Sequence, residues 1–401
     1  MSWIEDPEFA TGKPFGPQTL PYGVLVTGSG PVVAVRVGRH ALPLRGIADR
    51  LGPRLAELVV GDSLDPLLAA GRSHWQELRE RLTELVTTTR APAGAELVRI
   101  DWHTSVLPFS VADYFNFFSS RHHAQNMGRL MRRGSRSLPE NWTHLPVAHH
   151  GRAGTVCVSG TDIRRPSGQR KSSGDMSPNF GPTRRLDFGA EVGFVCGGEP
   201  AAEIPTAEFA EHVFGVVLVN NWTARDIQLW ESQPFGPFLG TSFATSISGW
   251  ITPLEALEHA RVPVPDPPHP LHSYLVESEP WGLDLRLEVW CNETLLSTPQ
   301  FKGMAWSPAQ QLAHLTVNGA PVRPGDLFAS GTVSGPERDQ RGSLLEMTWG
   351  GTESIALNDG EQRTFLQDGD RVTLTGTAPG PGGSVVGLAD VAGTVLATSR
   401  R

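Results

Sequence analysis

The sequence predicts a mainly β protein with a small N-terminal part and a larger second domain, and three observations carry that reading. Short apolar runs separated by turns fill the first third, as in Tyr22-Gly-Val-Leu-Val and Val32-Val-Ala-Val-Arg-Val. One strongly helical stretch follows and is then broken by a proline- and glycine-containing segment. Beyond it the chain is patterned for strands and carries clusters such as Gly331-Thr-Val-Ser-Gly335 and Pro379-Gly-Pro-Gly-Gly383, which are turn chemistry. With 401 residues the chain is long enough for two cores.

Taken in order, the helix is expected over Ser73 to Arg90. Trp75, Leu78, Leu82, Leu85 and Val86 recur at the spacing of one helical face, with charges between them. Arg90-Ala-Pro-Ala-Gly-Ala ends it and reads as a linker, which places a boundary near 91–110 and gives domains of 1–105 and 106–401. In the second domain Leu285, Leu287, Val289 and Cys291 alternate along one face of a strand. Ser307 is placed to cap a helix, Pro308 suits its first turn, Ala309 to Leu315 continue it, and Asn318-Gly319 turns the chain.

Composition limits the partners. A 39% share of hydrophobic residues against 19% charged ones is too apolar for a disordered chain. A net charge of −8 lacks the basic face that nucleic acid or an anionic membrane requires, so a small molecule is the expected partner. Cys157, Cys196 and Cys291 show neither zinc spacing nor pairing and are expected to be reduced. The acidic start Met1-Ser-Trp-Ile-Glu-Asp and the short apolar run Val213 to Val219 predict neither export nor a membrane span, and hence a cytoplasmic protein.

The stretches Asp113-Tyr-Phe-Asn-Phe-Phe-Ser-Ser-Arg-His-His-Ala, Asn141-Trp-Thr-His-Leu-Pro-Val-Ala-His-His-Gly-Arg and Ser159-Gly-Thr-Asp-Ile-Arg-Arg-Pro-Ser-Gly-Gln of the second domain resemble motifs of the fumarylacetoacetase family. Asn221-Trp-Thr-Ala-Arg-Asp-Ile-Gln, Gly236-Pro-Phe-Leu-Gly-Thr-Ser-Phe, Arg323-Pro-Gly-Asp-Leu-Phe-Ala-Ser-Gly-Thr and Gly342-Ser-Leu-Leu-Glu-Met-Thr-Trp follow in the family's order, and Leu20-Pro-Tyr-Gly-Val looks like its N-terminal domain. The resemblance implies a small SH3-like barrel followed by a larger β-rich fumarylacetoacetase C-terminal-like domain, in a homodimer with sites near the subunit interface.

It also implies roles. His123 stands at the position of the family's catalytic histidine and Glu346 at that of its orienting glutamate. Arg225, Gln228 and Thr332 match substrate-contacting residues, and Arg132 or Arg133 stands for a second substrate arginine. Of the four carboxylates that hold the family's calcium or magnesium, this chain keeps Glu191; the other positions are Asn116, Gly189 and Asn221. The lysine beside that metal aligns with Thr241, and three tyrosines align with Phe118, His149 and Ser232.

One carboxylate with two amides is a poor donor set for either ion, so no metal and no other cofactor is expected. Without partners for a cation, Glu191 is offered either to the pocket or to an ion pair with Arg225. The pairs His122-His123 and His149-His150, with His144 nearby, are expected to be wall or loop histidines, because adjacent side chains point apart. His149 is open as a second acid–base group or as packing.

The function expected from these residues is metal-independent acid–base chemistry by His123 and Glu346 on a small polyketone-like or unsaturated substrate. A non-hydrolytic cyclisation or isomerisation in bacterial secondary metabolism is preferred, because proton movement demands less charge stabilisation than C–C cleavage. A C–C-bond hydrolase of fumarylacetoacetate or acylpyruvate type is the alternative, and a non-catalytic ligand-binding protein is the third reading.

Overall fold

The computed structural model describes all residues except 1, 29, 101–104, 132–136, 173 and 399–401. Strands dominate, as the patterning predicts. A twelve-stranded sheet runs in the order Val98–Arg99, His40–Pro43, Gly30–Val37, Tyr22–Thr27, Trp250–Pro253, Val213–Asn221, Ala190–Cys196, Leu327–Ala329, Tyr114–Phe117 and Ala148–His150, with Thr245–Ile247 and Val156–Val158 branching from it. A second sheet of five strands contains Arg286–Cys291, Arg371–Pro379 and Val385–Leu396.

The alternation read in the sequence is the alternation of burial. Leu287, Val289 and Cys291 are inside, while Arg286 is exposed and Glu288 and Trp290 are half-covered. The strand Val213–Asn221 lies at the centre of the large sheet and is buried along its whole length, which explains its unbroken apolar run. The apolar surface it buries stabilises the fold by about 25 cal/mol per Å².

The expected helix is observed over Arg72–Thr87, with Trp75, Leu78, Leu82 and Val86 buried. It stops short of Arg90 because Thr88 is extended, and the hydroxyls of Thr87 and Thr88 donate to the carbonyls of Thr83 (2.7 Å) and Leu85 (2.9 Å). The second helix spans Pro308–Thr316, and Ser307 and Gln310 cap each other's backbone reciprocally.

The N-terminal strands do not form a closed barrel among the described residues. Tyr22 and Gly23 pair with Ile251 and Trp250 of the second domain, so the strand that would close the barrel gives its edge to the large sheet. A single bridge from Leu25 to Ser105 starts such a closure. The three cysteines are free thiols. Among the described residues no helix is long and apolar enough to cross a membrane.

Candidate active site

The site lies where the chain crosses from the large sheet into the helix Arg121–Met131. Ser120 starts that helix: its hydroxyl accepts the His123 N–H (3.2 Å) and donates to the Ser334 carbonyl (2.9 Å). Helix and loop 331–334 are thereby fixed to each other. Gly331 makes the close approach possible, since its φ is +77° and a Cβ there would sit 2.0 Å from the Phe117 carbonyl oxygen.

His123 and Glu346, 223 residues apart in sequence, meet through Nδ1 and Oε2 at 2.7 Å. Glu346 is fully buried and lies in the short helix Leu344–Met347. Its Oε2 also accepts from Ser343 (2.7 Å) and Ser334 (2.9 Å), and its Oε1 accepts from Asn126 (3.0 Å). Burial alone would raise this carboxyl, but the charge of His123 and the hydrogen bonds from His123, Asn126 and Ser343 hold it down at about 2. An ionised carboxylate is therefore fixed on Nδ1, which leaves Nε2 as the nitrogen for the cavity. Phe118 packs edge-on against the imidazole at 5.2 Å.

The cavity has a volume of about 530 Å³. His123, Asn116, Phe118, His149, Glu191, Asn221, Arg225, Gln228, Ser232, Thr241 and Thr332 all line it, so residues drawn from across the second domain converge there. Arg132 and Arg133 lie outside the described residues. Burial lowers the His149 imidazole to about 4, assisted by the charge of His150, so it is neutral near pH 7. His144 stacks on His269 at 4.0 Å instead of facing a metal.

Arg225 does not pair with Glu191. Its Nε donates to Asp187 Oδ2 at 2.8 Å and its Nη1 to Gln228 Oε1 at 3.2 Å. Register decides this: the strand Leu186–Asp187 pairs with Thr223–Ala224, which brings Asp187 beside Arg225, whereas Glu191 lies opposite Val219. Asp187 escaped the sequence reading. Its Oδ1 accepts from the Phe188 and Leu344 N–H groups (both 2.8 Å) and its Oδ2 from that of Leu345 (3.1 Å). One buried carboxylate thus anchors both the arginine and the first turn of the helix that carries Glu346. Asn126 also escaped it, although its spacing of three from His123 on one helix is a usable signal.

Glu191 faces Asn116 and Asn221. Asn116 Nδ2 donates to Oε2 (2.7 Å) and to the Tyr114 hydroxyl (2.8 Å), and Asn221 Nδ2 donates to Oε1 (3.3 Å). Asn221 Oδ1 is buried with no partner. Burial pushes the Glu191 carboxyl up to about 8 against the hydrogen bonds from Asn116 and Asn221, the charge of Arg225 and the hydrogen bond of Thr332.

This donor set does not fit a divalent cation. Calcium takes 6–8 oxygens at about 2.3–2.6 Å and magnesium an octahedron of them, but both Glu191 oxygens here meet amide hydrogens. Gly189 offers no side-chain ligand, and a Cβ there would lie 2.9 Å from Thr332 Oγ1 and 3.2 Å from Glu191 Oε1, so a longer side chain would have to move both. Among the described residues, no group of three or more His, Cys, Asp or Glu is placed to hold a metal ion.

Because the fold favours the protonated form, Glu191 contributes stability that is complete below its ordinary value of 4.5 and fades as pH rises through about 8. Glu191→Gln is therefore expected to stabilise the protein on the alkaline side, by on the order of 2–4 kcal/mol relative to its effect in acid. Its amide would also supply a donor for Asn221 Oδ1. Urea titrations of both proteins on either side of neutrality check this, and an equal change at both pH values would refute it.

Comparison with known proteins places the geometry in a family. A model described as Fumarylacetoacetate (FAA) hydrolase C-terminal matches residues 113–391, and one described as Fumarylacetoacetase N-terminal matches 18–108. The chain is 41% identical over 412 residues to the fumarylacetoacetase of Rattus norvegicus, covering 96% of this chain and 97% of the relative. It is 40% identical over 395 residues to that of Arabidopsis thaliana, covering 92% of each.

Solved structures share the fold. A fumarylacetoacetate hydrolase from Exiguobacterium antarcticum superposes with a TM-score of 0.56 at 15% identity, over 94% of this chain and 99% of that one. A putative HpcE protein from Mycobacterium smegmatis gives 0.57 at 17%, over 94% and 100%. The end-to-end identity to fumarylacetoacetases overturns the expected cyclisation or isomerisation in bacterial secondary metabolism. That expectation gave Asn116, Gly189 and Asn221 more weight than the likeness of the whole chain. The chain belongs to the fumarylacetoacetase family.

Proposed function

We propose that this chain is a C–C-bond hydrolase of the fumarylacetoacetate or acylpyruvate type, with His123 as general base. The observation that carries the reading is the buried His123–Glu346 pair at 2.7 Å on the wall of a cavity that also holds Arg225, Gln228 and Thr332. The relatives named fumarylacetoacetase over nearly the whole chain support it.

In this reading Nε2 of His123 takes a proton from water, and the hydroxide adds to one carbonyl carbon of a 1,3-diketone. Glu346 stabilises the imidazolium through Nδ1. The bond between that carbonyl carbon and the central carbon then breaks. Its electron pair passes to the central carbon as the enolate of the second ketone, and the imidazolium proton returns to that carbon. One water is consumed, and a carboxylic acid and a ketone are released.

Arg225, Gln228 and Thr332 are the lining groups suited to substrate oxygens and carboxylate. Phe118 and Thr241 shape the wall, and His149 and Ser232 complete it as neutral polar groups. Arg132 or Arg133 carries, in this reading, the second anion contact that the resemblance implies.

The test is product analysis of the purified chain with fumarylacetoacetate and with acylpyruvates. Equimolar acid and ketone are expected; recovery of unchanged substrate or of a product of unchanged mass would refute hydrolysis. We carry the expected homodimer forward in the same reading. Phe235 and Phe238, 99% and 66% exposed, stand at and beside the cavity mouth with Leu239, where a second copy would cover them. Light scattering of the purified chain is expected to give twice the chain mass, and a monomer would refute it.

A further inference from the structure

We propose that the position the family gives to a divalent cation is taken in this chain by a closed carboxyl–amide cluster, Glu191 with Asn116 and Asn221, and that the pocket receives its substrate there without calcium or magnesium. The proposal rests on the hydrolase reading for the identity of the pocket and on the cluster's own geometry for the rest.

Each Glu191 oxygen faces the hydrogen of an amide, at 2.7 Å from Asn116 and 3.3 Å from Asn221. A cation at the same place would meet those hydrogens. Turning both amides over would present their oxygens, with the Tyr114 hydroxyl at 2.8 Å then donating to that of Asn116. Burial raises the Tyr114 phenol far above its ordinary range, so that side chain offers no anion in exchange. Even with the amides turned, one carboxylate is the only anionic donor among these four positions, and affinity for these hard cations follows anionic oxygen count.

The charge balance closes without the ion. Relative to the family pattern the chain lacks three carboxylates at 116, 189 and 221 and one lysine at 241. Removing three negative charges, one positive charge and a doubly positive ion leaves the formal charge summed over those four positions and the ion unchanged. Had the ion stayed, the pocket would carry a buried excess of positive charge, which costs several kcal/mol.

Space is tight as well: Thr332 Oγ1 is 2.9 Å and Glu191 Oε1 3.2 Å from where a Cβ on residue 189 would stand, so a further ligand there requires those side chains to shift. The groups that meet a substrate ketone at this end of the cavity are then hydrogen-bonding ones. Such a surface holds the neutral keto or enol form of a diketone, whereas a chelating cation selects its enolate.

The experiment is elemental analysis of the full chain purified without chelator, together with thermal melts in millimolar calcium or magnesium against chelator. Far less than one ion per chain and an unchanged melting temperature are expected. Asn116→Asp combined with Asn221→Asp is expected to gain a cation-dependent melting shift of several degrees. Near-stoichiometric calcium or magnesium in the unaltered chain, or a melting shift of that chain with either ion, would overturn the proposal. So would a folded double variant that melts alike with and without them.

These readouts are independent of turnover. An ion-free chain that cleaves no diketone would sink the hydrolase reading alone, and an ion-loaded chain that does cleave would sink this proposal alone.

Discussion

His123→Ala is expected to lower kcat for diketone cleavage by about 10²–10⁴-fold, the usual worth of a positioned general base. The substrate contacts assigned to Arg225, Gln228 and Thr332 are untouched, so KM should move far less than kcat. The fold should survive, because Glu346 keeps its hydrogen bonds from Asn126, Ser334 and Ser343 when the imidazole leaves. Steady-state kinetics beside a urea titration separate the two effects. A variant that kept its rate within tenfold while losing stability would show that His123 is a structural group.

Asp187→Ala is expected to have the largest effect on stability, about 3–5 kcal/mol, because it strands the buried Arg225 guanidinium. The N–H groups of Phe188, Leu344 and Leu345 lose their acceptor in the same step, and each such loss adds to the cost. Activity should fall as well, since the turn that aims Glu346 at His123 loses its anchor. Where the variant proves too unstable to isolate, Arg225→Gln at the other end of the pair is expected to cost less, because it removes the charge and leaves no stranded cation. A change below about 1 kcal/mol for Asp187→Ala would refute the assignment.

The sequence made the scaffold and the His123–Glu346 pair readable and left the joints between them hidden. Strand alternation at Leu287, Val289 and Cys291 and the reciprocal cap at Ser307 are local features, and local features survive in a one-dimensional pattern. His123 and Glu346 were legible through family motifs despite the 223 residues between them. Asp187 was not, because nothing near it in the chain announces that Arg225, Leu344 and Leu345 will converge on it. That convergence follows from the pairing of a two-residue strand with Thr223–Ala224.

The same limit left a Glu191–Arg225 pair open beside the pocket role, because two opposite charges in one pocket can be matched without the register that separates them. It also produced the expected closed barrel, since the sequence does not say that Tyr22 will pair with Ile251. The expected cyclisation failed differently. There a reaction was inferred from Asn116, Gly189 and Asn221 that the relatedness of the whole chain does not support.

The crowding around Gly189 bears on how this pocket could change over generations. Gly189→Asp alone must shift the Thr332 and Glu191 side chains, and Asn116→Asp or Asn221→Asp alone removes an amide donor from Glu191 and sets a second carboxyl against it. Thr241→Lys alone buries a cation at the same wall. Each change by itself disturbs contacts that the others would have to restore, so substitutions at these positions are expected to be strongly non-additive, tolerated together better than one at a time.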